Sequence, residues 1–355
     1  MRRRTLLASL AALPLAFPRR AHAASVDPNG GHEAVRGVTV SCPTWGWEWG
    51  SDEMVATLDV LSGLGVEWIS IHPYARIHGD GRVTYRSLDP GAPPEWLARP
   101  VREAHARGMK VMIKPHLAYW GSGFSWRGAI AFDDPAAHAT FFSDYAAWIL
   151  ALALASAGAD AFVVGTELDR LTGDGPRWRQ IVAQVRAVFP GRLTYAANWD
   201  AFEQVSFWDV LDTVGVQAYF PIVADLPAVQ ITASVLDEGW TPWLARLRAV
   251  AERTGKPVVF TELGYDCSPE AARTPWDPSS GDRVLGERVQ ELALDAAFRA
   301  MEREPAVVGA FLWKWFPGEM AHGDFRMSEP RLQERIRDAW GSPSPVVGSR
   351  AGGNE

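Results

Sequence analysis

Eight short apolar runs, set apart by stretches with helical spacing, constrain the fold of this 355-residue chain more than any other feature. The runs fall at residues 37–42, 66–72, 109–116, 160–167, 192–198, 213–221, 257–265 and 307–315. Each is six to nine residues of mainly aliphatic or aromatic character. Such continuous runs suit strands buried on both faces, as in parallel sheets. Helical spacing occupies 51–64, 94–108, 134–157, 175–190, 240–254, 282–304 and 331–340. The stretch at 282–304 is the most regular, with Val284, Leu285, Val289, Leu292, Ala293 and Ala296 on one 3.6-residue stripe. Ser51 or Asp52, then Asp134 before Pro135, read as helix caps.

Repeated strand–helix units predict an α/β fold, a single (β/α)8 TIM barrel, for which ~250 residues suffice. A doubly wound open sheet competes, and it calls for a glycine-rich first turn. Here that turn is Cys42-Pro43-Thr44-Trp45-Gly46-Trp47, and neither GxGxxG nor GxxxxGK[ST] occurs where a nucleotide-binding fold needs it. One domain is expected over residues 24–340, with no linker to a second and no internal repeat.

The ends lie outside that domain. Arg2, Arg3 and Arg4 precede an apolar run from Leu6 to Phe17, and Ala21-His22-Ala23 is a small-x-small cleavage site. Residues 1–23 therefore read as an export signal, too short for a stable membrane span. Arg3-Arg4-Thr5-Leu6-Leu7 resembles the twin-arginine motif, with a general secretory signal as the alternative. Localisation is expected to be periplasmic or extracellular. Residues 341–355 have the composition of a disordered tail. Cleavage would remove five arginines and no acids, taking 35 basic residues to 30 against 42 acidic, a net charge of −12. That surface repels nucleic acid and anionic lipid, so a neutral partner is expected. Cys42 and Cys267 are the only cysteines; export permits a disulfide, but two free buried thiols are the expectation. No Cys or His cluster has metal spacing, so no metal or cofactor is expected.

Two runs end in a carboxylate that packing does not explain. The fourth closes on Glu167, and the leading apolar part of the seventh closes on Glu262. In a parallel barrel the C-terminal strand ends form the face that carries active sites. Two carboxyl groups brought together there, one protonated and one ionised, are what cleavage of a glycosidic bond requires. The chain also holds 17 Trp, and aromatic faces stack on the C–H surfaces of sugars, although any one Trp is as readily a core residue. An esterase or amidase would need GxSxG, which is absent.

The motifs KPH (114–116), WRG (126–128), GTEL (165–168), AANWD (196–200), AYFP (218–221), FTELGY (260–265) and LWKW (312–315) occur in an order that resembles glycoside hydrolase family 113, within the clan A barrel glycosidases. The resemblance spans roughly 37–315. It implies Glu167 as acid/base, Glu262 as nucleophile, a retaining mechanism and an endo-acting β-1,4-mannanase. It also implies a hydrogen bond from Tyr219 to Glu262. Many clan members place Asn before the acid; Thr166 stands there, and Asn198 is the expected substitute contact to the 2-hydroxyl.

Further substrate-binding candidates are Trp45 beyond strand one, His72 ending strand two, Lys114 and His116 ending strand three, Trp120, Trp126 and Arg127 on a long loop, and Trp313 and Trp315 on strand eight. Alternation would turn both Trp313 and Trp315 to the barrel interior. Lys114 and His116 read equally well as an internal ion pair. Asp169, Asp200 and Asp266 stand near strand ends, either tuning a neighbour or bonding a loop. The expected partner is a β-linked polysaccharide or oligosaccharide, mannan-type first, bound by a monomer. Other β-linked hexosans, transglycosylation and non-catalytic sugar binding are the rival readings.

Overall fold

The computed structural model describes residues 32–318 and 325–341; the expected leader (1–23) and the expected tail beyond residue 341 lie outside them. In chain order its strands are β1 (Val35–Val40), β2 (Trp68–Ile71), β3 (Tyr74–Ile77), β4 (Val83–Thr84), β5 (Lys110–Ile113), β6 (His116–Ala118), β7 (Ala161–Thr166), β8 (Arg192–Asn198), β9 (Val214–Gln217), β10 (Val258–Leu263) and β11 (Val307–Trp315). Its helices are α1 (Asp52–Gly63), α2 (Glu95–Ala106), α3 (Pro135–Ala155), α4 (Gly175–Arg186), α5 (Ala233–Thr254), α6 (Arg283–Arg303) and α7 (Pro330–Trp340).

Strands β1, β2, β5, β7, β8, β9, β10 and β11 close in that order into an all-parallel barrel, the (β/α)8 architecture expected. Helices begin where side chains satisfy their free N–H groups: Ser51 Oγ accepts from Met54, and Asp134 from Ala136 and Ala137. Gly255, with φ 66°, ends α5 and turns the chain into β10. Inside the barrel, Trp68, Met112, Val163, Ala196, Val259, Val308 and Phe311 fill the lower layers. A larger layer lies between strands and helices, where α3 buries Phe141, Phe142, Tyr145, Trp148, Ile149 and Leu152. Helix α3 is long and apolar enough to cross a membrane, and here that apolarity packs the barrel.

Three departures from the sequence reading matter. The third apolar run is not one strand: β5 stops at Ile113, and His116 opens β6 in a separate sheet of order β4-β3-β6. Helix α5 starts at Ala233 under a Thr232 cap, seven residues before the expected start. Gly239 and Pro242 hide its first turns in the sequence. The helix needs that glycine because a Cβ there would sit 1.9 Å from the Ile222 carbonyl oxygen. Both thiols are free, as expected, but only Cys42 is buried; Cys267 is exposed.

Candidate active site

The C-terminal mouth of the barrel opens into a cleft of about 1270 Å³ whose lining includes both Glu167 and Glu262. Alternation along β10 should send Val259 and Thr261 inward and Glu262 outward. The ladder to β9 slips between Phe260 and Glu262, an irregularity that brings Thr261 and Glu262 both to the inner side. Glu167 follows β7 with φ 53°, a left-handed conformation that costs a non-glycine residue about 1–2 kcal/mol. Its own N–H bonds to Ala196 O, and the next N–H to the Tyr195 hydroxyl at 2.8 Å, which holds the turn.

Glu262 is buried and fully engaged. Lys114 Nζ donates to Oε1, and Tyr219 OH donates to Oε2 at 2.6 Å. The remaining Lys114 donors go to Gln217 Oε1 (2.9 Å) and the Thr261 carbonyl (3.1 Å). Burial pulls the Lys114 ammonium down to about 8, against the opposing pull of Glu262. Burial and the Glu262 charge together push the Tyr219 phenol up, so it remains a donor.

Glu167 accepts from Arg127 Nε (3.0 Å) and Nη2 (2.6 Å) on Oε2, and from Gln217 Nε2 (3.3 Å) on Oε1. Burial raises its carboxyl, but the Arg127 and Lys114 charges outweigh burial and hold it below the usual carboxylate range. Gln217 therefore bridges the two acids: its amide nitrogen touches Glu167, while its oxygen binds Lys114 and Thr261 Oγ1 (2.9 Å) beside Glu262. Sequence reading passed over this residue. The available signal was a polar amide inside an otherwise apolar run, which must find partners when buried.

Arg127, Trp126, Asn198, Tyr219 and Trp313 line the same cleft as the two acids. So do Tyr119, Trp199, Trp276 and Phe325, which the sequence reading did not single out; Trp199 and Trp276 stack at 4.9 Å. Asn198 Oδ1 accepts from Trp199 N, and its side chain bonds Asp169. Asp169 is pushed up to about 7, first by burial and then by the charges of Glu167 and Asp200. Asp200 lines the cleft, whereas Asp266 bonds Ser268 and Ser279 in its own loop.

Six of the expected substrate-binding residues lie outside the cleft lining. Lys114 has no donor left for a sugar hydroxyl and serves the internal ion pair with Glu262 instead. His72 and His116 are sealed beneath the cleft, stacked on each other at 4.8 Å, with Trp313 packed against both. Burial first, then neighbouring cations, drives both imidazoles well below their ordinary value, so each is neutral. Trp315 is buried in the outer layer because the β1–β11 ladder slips, pairing Thr39 with Trp313 but Val40 with Trp315. Trp120 is more than half exposed and does not line the cleft. Trp45 lines a neighbouring groove.

A closed (β/α)8 barrel that presents two paired carboxylates in an aromatic-walled mouth defines a glycoside hydrolase. The sequence matches the model of Glycoside Hydrolase Family 113 over residues 43–324, and the chain belongs to that family. Among solved structures it is similar to the family 113 β-mannanase AaManA from Alicyclobacillus acidocaldarius in complex with ManMIm, with 26% identity, TM-score 0.75, and coverage of 87% of this chain and 98% of that one. A GH113 β-1,4-mannanase complex superposes at TM-score 0.74 with 21% identity, covering 88% and 100% of the two chains. A β-glucuronidase from Ruminococcus gnavus shares the fold at 12% identity and TM-score 0.58, covering 87% of this chain and 50% of that one. No curated protein sequence matches at a significant level.

Proposed function

We propose that this glycoside hydrolase cleaves β-1,4-linked mannan chains internally with retention of configuration. Glu262 is the nucleophile and Glu167 the acid/base. The observation that carries the reading is the Gln217 bridge, which places the two carboxylates on either side of one amide in one cleft. Retention requires carboxyl groups about 5 Å apart, and inversion a wider gap that admits water. The similarity to a β-mannanase in complex with ManMIm supports the substrate class.

The environments suit the roles. Lys114 and Tyr219 stabilise Glu262 as an anion aimed at the anomeric carbon. In the first step the Glu262 carboxylate forms the glycosyl ester while Glu167 delivers its proton to the departing oxygen. In the second, ionised Glu167 takes a proton from water, which attacks the anomeric carbon from the face the leaving group vacated, opposite the ester bond, and displaces the Glu262 carboxylate. The free protein holds Glu167 in the ionised form through Arg127. Loading the proton for the first step therefore requires the guanidinium to give up Oε2 as the sugar enters.

Glu262→Ala is expected to lower kcat on mannan by about 10⁴-fold or more. Azide should rescue it as the α-mannosyl azide. Glu167→Ala should retain activity on activated aryl glycosides and give the β-mannosyl azide. Parent-rate hydrolysis by either variant, or an inverted product from the parent enzyme, would refute the assignment. Product analysis on mannan, glucomannan, cellulose and chitosan tests the polymer. We further propose export directed by residues 1–23 and a monomeric mature enzyme, checked by N-terminal mass spectrometry of the secreted protein and by light scattering.

A further inference from the structure

Beside the cleft lies a second groove, of about 830 Å³. One wall is the segment after β1, with Trp45 and Trp47; the other comes from the β3–β4 hairpin and the loop after it, with Tyr74, Arg76, Tyr85 and Arg86. Trp45, Trp47 and Tyr85 are 36%, 43% and 36% exposed. Large aromatic surfaces gathered in one concave patch mark a binding site more often than an idle surface.

The groove is joined to the cleft by a run of rings. Tyr119 lines the cleft and lies 5.7 Å from Trp120, Trp120 lies 5.8 Å from Tyr74, and Tyr74 lies 5.8 Å from Trp45. Arg76 Nη1 donates to the Trp120 carbonyl at 2.9 Å, which ties the loop after β6 to the hairpin. Arg76 and Arg86 lie over the Trp45 and Trp47 rings at 5.2 and 4.1 Å. Neither reaches a carboxylate within ion-pair distance among the described residues, although the chain is rich in acids. Both arginines line the groove beside those apolar ring surfaces. That pairing of flat apolar faces with hydroxyl-seeking donors is the chemistry of a sugar chain: C–H faces pack on Trp, and hydroxyls accept from Arg.

We propose that this groove binds the distal units of the β-linked glycan whose scissile bond lies in the cleft, so that the enzyme holds long chains along the ring path from Tyr119 to Trp47. The inference rests on the glycan-hydrolase reading above. It explains why the β4-β3-β6 sheet stands beside the barrel mouth: it supplies one wall of the groove and carries none of the reacting groups.

The test compares substrates of two lengths with the full-length enzyme. Arg86→Ala and Trp47→Ala, separately and together, should lower kcat/KM on mannan polymer by tenfold or more. Turnover of an aryl mannobioside, too short to reach the groove, should stay within twofold of the parent. In the Glu262→Ala background, calorimetric affinity for mannohexaose should fall by a similar factor, with affinity for mannobiose unchanged. Arg86 is exposed, so its variant keeps the assay decisive if Trp47→Ala misfolds. Equal losses on both substrates, or none on the polymer, would overturn the groove assignment while leaving the catalytic one standing. A change in oligomeric state without a change in length preference would assign the groove to a second copy and also overturn it. Failure of the parent enzyme on every β-mannan would sink both readings.

Discussion

Asp169 makes the stability of this barrel depend on pH in a direction opposite to that of most carboxylates. Its side chain is largely buried two residues after Glu167, Oδ1 has no hydrogen-bond partner, and burial together with the Glu167 and Asp200 charges lifts it from 3.8 to about 7. In the unfolded chain the same group ionises near 3.8. Below that pH both states carry the proton and the native state is at no disadvantage. As pH rises toward 7 the unfolded state loses its proton first, and the stability tied to this one group is progressively lost, fully so above about 7. Some three pH units at 1.36 kcal/mol each amount to about 4 kcal/mol. Asp169→Asn keeps the shape and removes the titration. The variant should match the parent, apart from a constant offset, near pH 3.5, and exceed it by up to about 4 kcal/mol at pH 8. For a chain of this size that is a Tm difference of roughly 5–10 °C. Thermal unfolding by circular dichroism at half-unit steps from pH 3.5 to 8.5 reads the difference directly. A difference curve flat across that range would refute the buried-acid assignment.

The hydrogen bond from Tyr219 to Glu262 is charge-assisted, so Tyr219→Phe should lower kcat by about 10–100-fold while leaving Tm within a few degrees, as read by steady-state kinetics and calorimetry. Lys114→Met strips the cation from a buried carboxylate and should cost about 3–5 kcal/mol in chemical denaturation; adding Glu262→Gln should recover most of that, and no recovery would mean the two are not coupled. Gly239→Ala should destabilise by more than about 2 kcal/mol in the same assay, because its Cβ would sit 1.9 Å from the Ile222 backbone oxygen.

Much of this molecule is legible in its residue order. The strand–helix alternation gave the barrel, with β8 and β11 at their expected bounds, because apolar period and glycine–proline punctuation are local signals. Two glutamates at strand ends stand out for the same reason: a charge closing an apolar run has no packing purpose. What the residue order left open are properties of pairs distant in sequence. Whether Lys114 meets a sugar or a carboxylate depends on β10, nearly 150 residues away. Alternation would turn Glu262 outward and Trp315 inward; two slips in ladder register, which exist only between strands, reverse both. Gln217 is an ordinary strand residue until Glu167, beyond β7, and Thr261, on β10, meet its side chain across the barrel mouth. The chain's pattern of apolarity thus selected the barrel by itself, whereas the protonation and aim of its acids were settled only when closure removed water and set fixed charges against them.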